Sequence, residues 1–151
     1  MFFQIALQLS LLLLTTAHFQ LQFPSPRGPF NEDQEPNFCD GYTTPASNRT
    51  QLSLTDSYIS LVSEHPSWVV TVLLANTPNP TSFDNFTQVT AFTKNTGEGT
   101  FCMPFSLTQS NATALGLQDG QNVTLQVSDF LNPCGNLLTL VCQGSICCRR
   151  R

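Results

Sequence analysis

The chain alternates apolar and polar residues in several short runs, the pattern of strands with one buried face. The first run carries Phe19, Leu21 and Phe23 on one face. Residues 52–62 alternate in the same way, and residues 68–75 form an apolar run typical of a buried strand. This half of the chain therefore predicts three strands.

Shorter runs follow, separated by strong turn signals. Residues 88–93 and 100–105 predict strands on either side of a glycine turn, and Asp119-Gly120 predicts a turn before a strand at 122–127. Helix signals are nearly absent. Short strands at this spacing predict an all-β fold, an antiparallel β-sandwich with long loops.

The first 17 residues predict a signal peptide. Residues 1–14 are almost wholly apolar, and Thr15-Thr16-Ala17 supplies the small residues that a signal peptidase requires. Cleavage before His18 leaves 134 residues, the size of a single domain. We therefore expect a secreted or cell-surface protein whose mature form begins with histidine.

A terminal histidine is a chelating group for metals. Its α-amine and its imidazole have ordinary pKa values of about 8 and 6.5, so near neutrality both offer lone pairs at little proton cost. Such nitrogen-rich sites suit Cu(II). The one other histidine is His65, so it is the second arm if His18 binds copper in this way. The alternative is that both are ordinary surface or loop residues.

The surroundings of His65 predict its placement. Pro66 disfavours the helical conformation for the residue before it, so the ring is expected to project from an extended corner at the start of a strand. A turn histidine that faces water is the alternative.

The net charge and the N-glycosylation sequons bear on the protein's partners and on its secretion. The net charge is −4, and it is −7 without the three terminal arginines, which argues against a nucleic-acid partner. An acidic surface attracts cations, or is simply solvated. Four N-glycosylation acceptors agree with secretion: Asn48, Asn85, Asn111 and Asn122.

Six cysteines in a secreted chain indicate disulfides, with fifteen pairings open. The candidates are Cys39, Cys102, Cys134 and Cys142. The adjacent Cys147 and Cys148 rarely bond each other, so they pair elsewhere, stay free or reflect an unusual end. After the leader no apolar run approaches the length of a membrane span. The C-terminus ends in arginines and does not support a lipid anchor. We expect a monomer.

Several blocks together carry a family resemblance. They are His18–Gly28, Ser63–Leu74, Asn79–Phe83, Phe101–Pro104 and Asp119–Gln126. The chain resembles the fungal copper acquisition factor Bim-like proteins, relatives of lytic polysaccharide monooxygenases, over about residues 18–127.

The resemblance implies an immunoglobulin-like sandwich in which a histidine brace and an aspartate bind Cu(II). By this resemblance, His18 and His65 correspond to the histidine brace, and Asp84 corresponds to the carboxylate ligand. The family often places that aspartate directly before a phenylalanine, a position that Asn85 holds here. Asp84 therefore lies one residue out of register, and an ordinary loop aspartate is the alternative.

The resemblance also implies copper handling or host interaction at the fungal surface, with copper passed to a membrane importer. We expect no enzyme activity, because an anionic ligand would stabilise Cu(II) and occupy the position where dioxygen binds. One alternative is a copper-dependent polysaccharide monooxygenase, which needs an aromatic glycan-binding face, yet the chain has one Trp and two Tyr. A second is a metal-free cell-wall or host-interaction protein. No hydrolase constellation is present in the sequence.

The domain is expected to end near residue 127, before an atypical tail at 128–151. Gln126-Val127-Ser128 is what a coding end followed by a GTGAGT-type splice donor would spell. We hypothesise that the tail is translated intron and that the natural protein has a different ending. The alternative is a genuine tail in which Cys142 replaces the family's usual cysteine.

Sequencing the mature transcript tests this hypothesis. We expect the message to leave the present reading near codon 126. A cDNA that runs continuously through codons 127–151 would show that the tail is genuine.

Overall fold

The computed structural model describes residues 18–130 together with the strands at 137–142 and 146–149. The strands are β1 Phe19–Phe23, β2 Gln51–Ser53, β3 Ser57–Ser63, β4 Ser67–Ala75, β5 Thr87–Gln88, β6 Thr93–Thr96, β7 Gly99–Phe105, β8 Asn122–Phe130, β9 Leu137–Cys142 and β10 Ile146–Arg149. One short helix, α1 Gln109–Ala114, accompanies them in this part of the chain, with single 3₁₀ turns at Glu32–Gln34, Phe38–Gly41 and Phe83–Asn85. None of these helices is long and apolar enough to cross a membrane.

The strands form two sheets. The smaller has the order β1-β3-β7 and is antiparallel throughout. The larger has the order β2-β10-β8-β4-β5, with β6 also paired to β4 and β9 to β8. Its pairs are antiparallel except for β10 with β2. The predicted all-β sandwich is confirmed.

Trp68 joins the two sheets. It lies on β4 of the larger sheet and is 1% exposed. Its ring makes edge contacts with Phe19 on β1, at 5.5 Å between centroids, and with Phe101 on β7, at 4.9 Å. Its indole N–H donates to the carbonyl of Gly97 at 3.2 Å, so the polar atom of this buried ring is satisfied.

Strand β4 is the centre of the larger sheet. Val70, Val72 and Leu74 are all buried, as their alternation predicts. On one side β4 pairs with β8, which runs to Phe130 and places Asp129 opposite Val70. Strand β8 therefore continues past residue 127, where we expected the domain to end, and the origin of the tail stays a prediction.

Three local expectations were wrong. The run 52–62 is two strands, because the Ser53 hydroxyl accepts the N–H groups of Thr55 and Asp56 and turns the chain between them. The expected strand at 88–93 is instead the pair β5 and β6, which leaves residues 89–92 outside both. Helix α1 was missed, although Thr108 caps it by accepting the N–H of Asn111.

The cysteines behave differently from one another. Cys39 is buried and disulfide-bonded. Cys102 is exposed and has a free thiol in the structure, which gives its selection as a disulfide candidate no support. On β7 the residues that pack toward the core are Phe101 and Met103, and the alternation turns Cys102 to the other face. Cys134 and the side chain of Cys142 lie outside the described residues.

The loop that holds Cys39 also buries a carboxyl group. Asp40 is 7% exposed, with a left-handed backbone at φ 52°. Burial, and secondarily the negative charge of Glu35, raise the pKa of Asp40 from its ordinary 3.8 to about 7. The folded protein therefore holds a proton on Asp40 at pH values where the unfolded chain has lost it.

We expect Trp68→Ala to lower the free energy of unfolding by about 3–5 kcal/mol, because it removes the ring that both sheets share. Val69→Ala on the other face of β4 is the matched control, with an expected loss below about 1 kcal/mol. Urea unfolding measures both. Equal losses would show that Trp68 does not join the sheets.

We expect Asp40→Asn to stabilise the protein by roughly 2–4 kcal/mol at pH 8, at about 1.36 kcal/mol per pKa unit. With its folded pKa raised, the stability that Asp40 contributes is fully present below pH 3.8 and is lost as the pH rises through about 7. Asn is neutral and tolerates the left-handed backbone. Urea unfolding of both proteins should show the gain at pH 8 and none below pH 4. A gain that is independent of pH would contradict this assignment.

Candidate metal centre

The pairing of β1 with β3 brings the two predicted histidines to one end of the sandwich. His18 directly precedes β1, and Phe19 pairs with Ser63 at the end of β3. Beyond that pair, the N–H of Glu64 donates to the carbonyl of His18 at 2.9 Å. His65 follows in the corner that leads to β4, so main-chain hydrogen bonds fix its backbone close to that of His18.

Two glutamates hold the imidazole of His18. Its Nδ1 lies 2.9 Å from Oε2 of Glu35, and its Nε2 lies 3.2 Å from Oε2 of Glu32. The other oxygen of Glu35 accepts the N–H of Phe19 at 3.0 Å. Glu35 is buried and Glu32 is exposed. The hydrogen bond to Glu35 raises the pKa of His18, and burial offsets part of that effect.

His65 is in a different environment. It is 4% exposed, and its main-chain N–H donates to the Ser63 hydroxyl at 3.2 Å. Burial lowers its pKa, against which the negative charge of Glu35 acts. The imidazole is therefore neutral near pH 7, the form that binds metals.

The distal nitrogen of His65 faces a buried acid. Its Nε2 lies 3.7 Å from Oδ2 of Asp129, which is fully buried. That distance is too long for a hydrogen bond, and Nε2 has no hydrogen-bond partner in the described part of the chain. Since buried polar atoms are nearly always paired, a nitrogen in this position suits a metal ligand.

Asp84, the predicted carboxylate ligand, makes its polar contacts with Ser82 and not with a histidine in the described part of the chain. It is exposed on the 3₁₀ turn Phe83–Asn85. The hydroxyl of Ser82 accepts its N–H at 3.1 Å and donates to its carboxylate at 3.3 Å, and these are its polar contacts among the described residues. The structure brings His18, His65, Glu35 and Asp129 together in pairs and does not bring Asp84 against either histidine.

Among the described residues, no three His, Cys, Asp or Glu side chains are grouped as a metal site. One nitrogen of the predicted brace is not a side chain. Residue 17 precedes His18 in the full chain, so the main-chain nitrogen of His18 is an amide until cleavage frees it. The structure thus describes the side-chain part of the predicted brace.

The four predicted glycan acceptors are accessible. Asn48, Asn85, Asn111 and Asn122 are all exposed. The side-chain carbonyl of Asn85 accepts the N–H groups of Thr81 and Ser82, which leaves its amide nitrogen, the atom that a glycan would modify, outside these bonds. Glycosylation stays a prediction.

Comparison with known proteins agrees with the family resemblance. The family model described as copper acquisition factor BIM1-like matches residues 16–140. An uncharacterized protein of Aspergillus fumigatus is 37% identical over 126 residues, which cover 82% of this chain and 51% of that protein. The copper acquisition factors BIM1 of Cryptococcus neoformans serotypes A and D are 31% and 33% identical over 119 residues, 74% of this chain and 52% of each relative.

The chain spans about half the length of these curated relatives. The family match continues past residue 127 and includes Asp129. Because the family model covers most of the sequence, from the end of the predicted leader to β9, the protein belongs to the copper acquisition factor BIM1-like family.

Proposed function

We propose that the mature protein begins at His18, is secreted, and binds Cu(II) through a histidine brace in the course of copper acquisition. The amine and Nδ1 of His18 and the imidazole of His65 supply three nitrogens. Membership in the family supports a role in copper acquisition. The observation that carries the brace is the backbone contact of Glu64 with His18, beside a neutral, buried His65 whose Nε2 has no hydrogen-bond partner among the described residues.

A buried carboxylate completes the proposed site. Asp129 is the better supported aspartate, because it is fully buried and 3.7 Å from Nε2 of His65. Asp84 stays a prediction from the family motif, and its exposure and its contacts with Ser82 give it no support. The negative charge of a carboxylate beside the two imidazoles would favour occupation of the site by a doubly charged metal ion over occupation by water.

We propose binding and transfer without catalysis, as a monomer that passes copper to a membrane importer. Acidic groups crowd both histidines, a setting that favours holding Cu(II) over leaving a position open to dioxygen. The single tryptophan is 1% exposed between the sheets and does not offer a ring for stacking on a glycan. The copper ion is therefore cargo in this proposal.

The test is Cu(II) titration of protein processed to begin at His18, with electron paramagnetic resonance of the complex. We expect His65→Ala to weaken binding by more than about 100-fold, since loss of outer-shell partners alone costs about 10–100-fold. Ser67→Ala, an exposed neighbour at the start of β4, should leave affinity unchanged. Asp129→Asn should weaken binding more than Asp84→Asn.

Two further measurements test the need for a free amine at His18 and distinguish binding from catalysis. One extra residue before His18 should abolish tight binding, because an amide nitrogen is a poor ligand. Tight binding that survives both this extension and His65→Ala would overturn the brace. Oxidised oligosaccharides or peroxide formed with a reductant would favour the monooxygenase instead.

A further inference from the structure

The buried carboxylate of Glu35 occupies the nitrogen of His18 that the brace requires. Its Oε2 is 2.9 Å from Nδ1, the nitrogen positioned to form one chelate ring with the His18 amine. Its Oε1 accepts the Phe19 N–H at 3.0 Å, which orients Oε2 toward the ring. Glu35 is 6% exposed, so the carboxylate side of this contact is buried.

We propose that Glu35 is a carboxylate ligand of the same ion, adjacent to Nδ1 of His18. The proposal rests on the brace proposed above and adds an oxygen donor to it. On binding, Nδ1 releases its proton to solvent, and the ion bonds both to Nδ1 and to the Glu35 carboxylate.

The spacing fits two neighbouring ligands of one ion. First-row metal ions bind imidazole nitrogen and carboxylate oxygen at about 2.0–2.2 Å, so two such ligands at a right angle lie about 2.8–3.1 Å apart. The observed 2.9 Å between Nδ1 and Oε2 falls in this range. In this geometry the ion lies about 45° off the line from Nδ1 to Oε2, so the imidazole must turn by about that angle to direct its lone pair at the shared ion.

The other ring nitrogen argues against a merely orienting role. A metal-bound histidine usually donates its second N–H to an acceptor that fixes the ring. Glu32 already fills that role, since its Oε2 lies 3.2 Å from Nε2. Glu35 sits on the chelating nitrogen, where a hydrogen bond and a metal bond exclude each other.

Movement of the Glu35 carboxylate away from a bound metal ion would cost free energy. The carboxylate is buried and tied to the Phe19 N–H, so loss of the Nδ1 contact would remove a charged hydrogen bond from an interior anion. Bonding to the ion replaces the lost contact with a stronger one.

The experiment compares Glu35→Gln with Asp33→Asn in protein processed to begin at His18. Gln keeps an oxygen that accepts the Phe19 N–H but loses the anionic donor. Asp33 is an exposed acid two residues away, so its variant controls for lost charge. We expect Glu35→Gln to weaken Cu(II) binding by about 10-fold or more and to change the copper hyperfine splitting. Asp33→Asn should change neither.

The outcomes separate this proposal from the brace itself. If wild type binds Cu(II) and His65→Ala abolishes binding, the brace stands whatever Glu35 does. Affinity and spectrum of Glu35→Gln equal to those of Asp33→Asn would overturn the ligand role, as would weaker binding with an unchanged spectrum. A crystal structure of copper-loaded wild type decides independently of how the variants fold. An oxygen of Glu35 within about 2.5 Å of the ion supports the proposal, and a carboxylate turned away overturns it.

Discussion

The contact on which the site depends most is the packing of Trp68 between Phe19 and Phe101. It joins the two sheets, and it does so at the end of the sandwich where both histidines lie. His18 is next to Phe19 in the chain, and His65 stands three residues before Trp68. A shift of either sheet at this contact would therefore move one histidine relative to the other. This apolar packing and the main-chain hydrogen bond from Glu64 to His18 together hold the two histidines at the same end of the sandwich.

The two histidines are held in opposite electrostatic states. A hydrogen bond to Glu35 raises the pKa of His18, whereas burial lowers that of His65. In the proposed site, His65 would present a lone pair near neutral pH without releasing a proton, whereas His18 would exchange a proton for the ion. An interior carboxylate is suited to this exchange, because it stabilises the positive charge before and after the proton leaves. The carboxylate of Glu35 could thus neutralise either a proton or the proposed copper ion.

Much of the fold follows from the sequence, and less of the site does. Alternation places Phe19 and Leu21 in the core and His18 at the tip of β1, and Pro66 places His65 in the corner before β4. Two of the three acids that contact the histidines, Glu35 and Asp129, are beyond such reasoning. Glu35 lies in an irregular loop 17 residues from His18, and Asp129 reaches His65 only through the register of β8 on β4. Periodicity carries no information about either contact, because each depends on tertiary packing.

The end of β8 connects the question of the tail with the chemistry of the site. Asp129 lies opposite Val70 because β8 continues in register past residue 127. The backbone hydrogen bonds of that pairing do not depend on side chains, so any ending that continues the strand would place its own residue there. The side chain at this position decides whether an acid faces Nε2 of His65. If the transcript continues differently after Gln126, the identity of the residue opposite Val70 is the first thing to determine. An aspartate there would keep an acid beside His65, whereas an apolar residue would leave Glu35 as the buried carboxylate of the proposed site.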